Sequence, residues 1–269
     1  MKVKGKVIVV TGGGSGMGRE LVIQLIKKGA TVAIADINEK GMAETVQLAG
    51  TSNISAHVLN IADRQAVEAF PNTVIATHGT VDGIINNAGI IQPFVDVNDL
   101  DYERIERVMN INFYGTLYMC KAFLPHLLKR PEAHIANVSS MGGFIPFPGQ
   151  TFYGASKAAV KLLTEGLYAE LKDTNVHTTV IHPGAVNTNI TSNSGVQSAA
   201  AEEAQKDDKA NKMAMPANEA AAIMIAGIEK NKYRVLVGKD AGFLDKFYRL
   251  APQKAVNFIV KKMGAMAGK

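Results

Sequence analysis

A chain of 269 residues, 47 % of them apolar, fits one α/β domain, although its length alone would allow two; no proline- or serine-rich linker or internal repeat divides it. Its one cysteine, Cys120, excludes an intramolecular disulfide, its six scattered histidines lack metal-ligand spacing, and no apolar run suits a signal peptide or a membrane span, so a compact cytoplasmic protein without a metal is expected. The net charge of +5 is no nucleic-acid signal, because much of it lies at the chain ends, in Lys2, Lys4 and Lys6 and from Lys246 to Lys269, with no RNA-binding motif or aromatic platform.

In chain order, Lys6 to Val10 is a short apolar run suited to a buried parallel strand. The glycine-rich turn Thr11 to Gly18 leads from it into an amphipathic helix over Met17 to Lys28. A second strand, Thr31 to Ala35, ends at Asp36, and a helix starts near Asn38. The third strand is Ile54 to Leu59, followed by a helix from an Asp63 cap to about His78. Val81 to Ile85 is the fourth strand, Leu100 to Lys129 one long helix, Ala133 to Val138 the fifth strand, and Thr151 to Lys172 a helix. Val176 to His182 and Arg234 to Val237 complete seven strands. Such alternation predicts a Rossmann-like, doubly wound parallel sheet with helices on both faces, whose ligands lie beyond the carboxyl ends of the strands.

Gly12, Gly16 and Gly18 let the backbone approach a pyrophosphate, whose charge is favoured by the free N–H groups of the following helix. Their spacing, G-x-x-x-G-x-G, differs from the usual G-x-G-x-x-G of dinucleotide-binding folds. Asp36, at the end of the second strand, can accept from ribose hydroxyls and repel a 2′-phosphate, which favours NAD(H) over NADP(H); the alternative is that it caps the next helix. Neither Ser15 nor Ile37, the nearest candidate positions, can pair with a phosphate. Tyr153 and Lys157 lie one turn apart on one helix face, and a cation there favours the phenolate, so the Tyr153 pKa is expected to fall.

In its motifs the chain resembles the short-chain dehydrogenase/reductase family: the T-G-x-x-x-G-x-G turn at Thr11 to Gly18, N-N-A-G at Asn86 to Gly89, Asn112, Ser140, Y-x-x-x-K at Tyr153 and Lys157, and P-G-x-V-x-T at Pro183 to Thr188. Ser139 competes with Ser140, and the resemblance selects Ser140 by its spacing of 13 residues to Tyr153. It implies Asn112, Ser140, Tyr153 and Lys157 as catalytic residues. It implies a cofactor held by Gly12, Ser15, Gly16, Met17, Gly18, Asp36, Asn60, Ile61, Asn87, Ala88, Gly89, Tyr153, Lys157, Pro183, Gly184, Val186 and Thr188. The family often has an Asp where this chain has Asn60, whose side-chain oxygen can still accept from adenine.

The activity implied is NAD(H)-dependent hydride transfer between nicotinamide and a secondary alcohol or ketone, and the alternative is a catalytically weak NAD(H) sensor or scaffold of the same fold. Apolar wall positions, among them Ile91, Phe94, Met141, Phe144 and Phe147, with Gln92 and Gln150, suggest a lipophilic substrate. Residues from 190 to about 215 form an expected lid. Apolar residues on the two long helices, with the resemblance, imply a homo-oligomer, a tetramer or dimer. The basic amphipathic stretch 240–263 could cover a neighbour or the cleft, or rest on a membrane surface.

Overall fold

The computed structural model describes residues 1–196 and 214–266, with side chains to residue 263. Seven parallel strands form the main sheet, in the order β3-β2-β1-β4-β5-β6-β9. They are β1 (Val7–Thr11), β2 (Thr31–Asp36), β3 (Ile54–Val58), β4 (Gly83–Asn86), β5 (Ala133–Val138), β6 (Val176–Pro183) and β9 (Arg234–Val237). The chain winds outward from β1 to β3, then returns to pair β4 with β1. The crevice where the order reverses, above the carboxyl ends of β1 and β4, is where such sheets take ligands.

Helices cover both faces because the strands are apolar on both. One core packs Ile8, Val10, Val32 and Ile34 against Leu21, Val22 and Leu25 of α1 (Gly16–Lys27) and Met224, Ile225 and Ile228 of the helix Ala217–Glu229. The other packs Val9, Ile84 and Ile135 against Val67, Phe70 and Val74 of α3 (Arg64–His78) and Met119, Phe123 and Leu127 of α5 (Thr116–Leu127). Asn38 caps α2 (Glu39–Ala49) by accepting from the Gly41 N–H, and Asp63 caps α3 by accepting from Ala66 N–H, the latter as expected.

The expected single helix Leu100–Lys129 is interrupted. It runs as α4 (Tyr102–Met109), a wide π turn over Asn110–Gly115, and α5, with Asp101 as the cap accepting from Arg104 N–H. Periodicity does not reveal one inserted residue, and wide turns of this kind concentrate at functional sites. Asn112 lies in this one, fully buried. After α6 (Thr151–Leu171) and β6, two-residue strands β7 (Val186–Asn187) and β8 (Met215–Pro216) pair, with the short helix α7 (Ile190–Asn193) between them. Most of the expected lid, residues 197–213, lies outside the described residues. The helix Ala217–Glu229 is α8. The carboxyl-terminal stretch forms two helices, α9 (Lys239–Leu250) and α10 (Pro252–Met266), the second starting at a proline, which suits a first helical position. Among the described residues, no helix is long and apolar enough to cross a membrane.

Candidate active site

The glycine turn follows β1 directly. Gly12 has φ +69°, and a side chain on Gly18 would collide with the Gly12 carbonyl oxygen, so the chain can fold back into α1 only with glycine at both positions. Thr11 Oγ1 accepts from the N–H groups of Asn87 and Ala88, both at 3.0 Å, and Asn87 Nδ2 donates to Thr11 O at 3.1 Å. The turn and the end of β4 are therefore one hydrogen-bonded unit.

Gly12, Ser15, Gly16, Met17, Gly18, Asp36, Asn60, Ile61, Asn87, Ala88, Gly89 and Thr188 line one cleft of about 420 Å³. Tyr153, Lys157, Pro183, Gly184 and Val186 do not line it. The first turn of α1 has no side-chain cap and no acidic residue, which leaves its positive end turned to the cleft, a setting that suits a pyrophosphate. The side-chain oxygen of Asn87 is buried without a partner, a second feature that suits a polar ligand.

Asp36 uses both carboxylate oxygens on backbone. Oδ2 accepts from Gly14 N–H at 2.9 Å and Oδ1 from Asn38 N–H at 3.0 Å. The cap of α2 is Asn38, not Asp36, whose charge stays at the cleft wall beside the exposed Ile37. Arg19 lies behind the turn, its guanidinium held by Gly14 O at 2.7 Å, Thr45 Oγ1 at 3.1 Å and Glu44 at 2.8 Å. Asn60 lines the cleft, but its Oδ1 already accepts from Ala62 N–H at 3.0 Å, which narrows its capacity to accept from a ligand.

The second cluster stands beside the first. A methyl on Gly89, a cleft residue, would come within 3.1 Å of both Asn112 Oδ1 and Lys157 Nζ. Asn112 Oδ1 accepts from Ile90 N–H at 2.9 Å, and its Nδ2 donates to Ile90 O at 2.9 Å and to Ser156 Oγ at 3.0 Å. Ser156 Oγ in turn donates to Tyr153 O at 2.7 Å, so the π turn is tied to the first turns of α6. The two serines divide: Ser139 donates to Lys157 O at 2.7 Å, whereas a methyl on Gly142 would sit 3.5 Å from both the Ser140 hydroxyl and the Tyr153 ring. Behind Ser140, His182 faces its carbonyl oxygen through Nδ1 at 3.0 Å and is held neutral by burial, which lowers its pKa to about 4.

The expected fall in the Tyr153 pKa is not found. Burial raises it, and the hydrogen bond with Ser140 only opposes that shift. Lys157 cannot reverse it because burial weakens the cation itself, lowering its pKa to about 8, while Nζ donates to Val138 O at 3.0 Å. Desolvation thus outweighs the helical spacing from which the opposite shift was inferred.

Sequence reasoning missed two contributions. Gln92, taken as a substrate wall, is buried and accepts through Oε1 from the N–H groups of Phe152 at 2.8 Å and Tyr153 at 3.0 Å, capping α6 from another segment. Its Nε2 donates to Gly149 O at 3.0 Å, and its carbonyl accepts from Gln150 Nε2 at 2.8 Å. No local motif encodes a cap so distant in the chain. Arg107, with Ile111, also lines the cleft, and their four-residue spacing on one helix face was the available signal. Asn189, Ile190 and Asn193 complete that wall, Asn193 Nδ2 donating to Ser15 Oγ at 2.8 Å.

Residues 6–199 match the short chain dehydrogenase family, and the chain belongs to it. SadH of Mycobacterium tuberculosis, named as an oxidoreductase, is 36 % identical over 252 residues, covering 92 % of this chain and 91 % of SadH. The 3-oxoacyl-(acyl-carrier-protein) reductase FabG of Thermotoga maritima is 32 % identical over 193 residues, 71 % of this chain and 78 % of FabG. A short chain dehydrogenase/reductase from Burkholderia phymatum, solved in complex with NAD, shares the fold with a TM-score of 0.83 at 24 % identity, over 93 % of this chain and 96 % of that one. The protein is thus an oxidoreductase of this family.

Proposed function

We propose that this enzyme oxidises a lipophilic secondary alcohol, or reduces the matching ketone, with NAD(H). The observation that carries the reading is the junction at Gly89, where the cleft meets Lys157 and Asn112, with Tyr153 and Ser140 on the adjoining turns. A bound nicotinamide would supply the two-electron acceptor or donor for hydride. Tyr153 accepts the hydroxyl proton of the alcohol as phenolate, or delivers a proton to the carbonyl as phenol, and Ser140 orients the substrate oxygen. Lys157, beside Asn112 at that junction, returns the proton toward solvent with Asn112's support. Asp36 and the glycine turn would hold the adenosine and pyrophosphate of that cofactor, and Thr188, which lines the cleft, with the Val186 backbone would hold its carboxamide.

The preference for NAD(H) rests on Asp36, whose charge lies at the cleft wall, and on Arg19, whose guanidinium is committed to Glu44 and two backbone carbonyls. The lipophilic class rests on the apolar positions Ile91, Phe94 and Ile190, the last of which lines the cleft, whereas Met141, Phe144 and Phe147 pack with Ile145 against α9 and α10. A sensor or scaffold role has less support, because Asn112, Ser140, Tyr153 and Lys157 are all present. A cytosolic setting agrees with the lone buried thiol of Cys120, pushed up to about 12 by burial. Exposed Tyr114, Leu162 and Tyr168 support a homo-oligomer, read as a tetramer. A panel of aliphatic and aromatic secondary alcohols and ketones, followed by absorbance of the reduced nicotinamide with NAD(H) and NADP(H), tests the activity; no turnover with any of them overturns it.

A further inference from the structure

We propose that the outer face of α9 and α10 is a docking surface for an anionic lipid bilayer. The charge distribution points there. From residue 239 onward, Lys239, Lys246, Arg249, Lys254, Lys261, Lys262 and Lys269 outnumber Asp240 and Asp245 by five, which is the whole net charge of the chain, +5. Residues 1–238 sum to zero, with 22 basic and 22 acidic side chains.

The two acids do not blunt that face. Asp240 Oδ2 accepts from Ala185 N–H at 2.7 Å, toward the body of the protein. Asp245 is 7 % exposed, and its Oδ1 accepts from Arg234 at 2.6 Å and Arg249 at 3.1 Å. Among the described residues, Lys239, Lys246, Lys254, Lys261 and Lys262 have no ion-pair partner.

Apolar side chains stand between these lysines. On α9 the exposed stripe reads Lys239, Phe243, Lys246, Leu250, and on α10 it reads Lys254, Phe258, Lys261, both at helical spacing. Phe243 is 56 % exposed, Leu250 86 % and Phe258 42 %. The stripes meet, for the rings of Phe243 and Phe258 are 6.1 Å apart and both pack on Phe247. The opposite faces are committed to the protein: Leu244, Ala255 and Ile259 are buried with Ile145. Aromatic and aliphatic side chains flanked by snorkelling lysines match a helix lying in a membrane interface, where apolar burial and attraction to acidic headgroups add.

A second copy of this chain fits the face less well. Self-pairing would set lysine against lysine with no carboxylate to separate them. Docking in this way also places the apolar loop at Met141 to Phe147, packed under α9 and α10, near the lipid, which suits a lipophilic substrate. The surface itself does not depend on the proposed reaction.

The chain has no tryptophan, so Leu250→Trp supplies a single tryptophan on the exposed face, at the turn between α9 and α10. Its emission should shift to the blue with phosphatidylcholine–phosphatidylglycerol vesicles, and less with phosphatidylcholine alone. Raising salt from ~0.1 to ~1 M, which shortens the screening length from ~10 to ~3 Å, should reverse much of the shift. Lys246→Glu with Lys261→Glu, both on exposed positions, should weaken co-sedimentation of the otherwise native chain with the acidic vesicles by at least about tenfold, with unchanged molar mass by light scattering. Three outcomes would overturn the proposal: no shift or sedimentation with acidic vesicles, binding indifferent to charge reversal, or a molar mass changed by that reversal, which would assign the face to a contact between copies.

Discussion

The cleft at β1, β2 and β4 and the cluster at β5 and α6 are neighbours held by different means. The first is built round a glycine turn whose main-chain groups face the cleft, with the side chains of Thr11, Asp36 and Asn87 tying that turn to adjoining segments, and the turn leaves no room for alternatives. The second is closed by buried side chains, with Asn112, Ser156, Gln92 and Lys157 each bonded to the backbone or side chain of another element. A backbone-built site tolerates changes of side chain that preserve its turns. A side-chain-built site concentrates its function in single groups, so single substitutions there should cost more.

The sharpest break of this contrast is Tyr153→Phe. It should lower kcat by the ~10² to 10⁴ of a general acid/base while leaving cofactor affinity and thermal stability near wild type. Steady-state turnover and calorimetric titration of NADH separate the two, and near-native kcat sinks the assignment. Because burial raises the Tyr153 pKa above its ordinary value of 10.0, alcohol oxidation by the intact enzyme should climb through the alkaline range. A plateau reached below neutral pH would contradict this.

Lys157→Met should come next. Turnover should fall strongly, yet the variant should be more stable at pH 7, by up to ~3 kcal/mol, because a cation whose pKa burial lowers from 10.5 to about 8 is removed. The sign follows from proton counting. Below about pH 8 both folded and unfolded chains carry the proton, and the cost of burial is fully present. Between 8 and 10.5 the unfolded chain binds more, so wild-type stability gains with pH and the gap to the variant closes. Urea unfolding at both ends of that window measures it, and a gap that widens with pH refutes the account.

The same division explains what could be read from the sequence. The seven strands, the helices on both faces and the glycine turn were legible because apolar runs such as Val7–Thr11 and Thr31–Asp36 encode local geometry. The choice of Ser140 over Ser139 came from the spacing to Tyr153 usual in the resembling family; in the structure Ser139 is spent on Lys157 O. The π turn at Asn112 escaped because one inserted residue barely alters an apolar pattern. The direction of the Tyr153 shift escaped because desolvation depends on what packs around a residue, which spacing along one helix does not contain.

On the backbone-built side, Asp36→Ala with Ile37→Arg tests whether charge at the cleft wall selects the cofactor. A lost repulsion and a gained phosphate partner should shift the kcat/KM ratio toward NADP(H) by roughly 10- to 100-fold. Asp36 also accepts from Gly14 and Asn38, so the variant should unfold more readily, by about 1–3 kcal/mol. A wild-type preference for NADPH would remove the premise.

The smallest expected effect probes how the side-chain-built site is positioned. Gln92 supplies the acceptor that the first turn of α6 lacks locally, since Gln150 makes no side-chain cap. Gln92→Ala should cost about 1–2 kcal/mol in stability, the usual loss on removing a helix cap, and should lower kcat by about tenfold as the turn bearing Tyr153 frays, with little change in affinity for NAD(H). Gln92→Glu distinguishes positioning from mere stability. Its carboxylate can still accept from the N–H groups of Phe152 and Tyr153 and suits a helix N-terminus, so stability should stay closer to wild type despite the lost donor to Gly149 O. The added negative charge at the amino end of the helix that bears Tyr153 disfavours phenolate, so the pH profile of alcohol oxidation should move further alkaline. If Gln92→Ala keeps native turnover, or Gln92→Glu leaves the pH profile unmoved, Gln92 is only a packing residue and the capped turn does not position Tyr153.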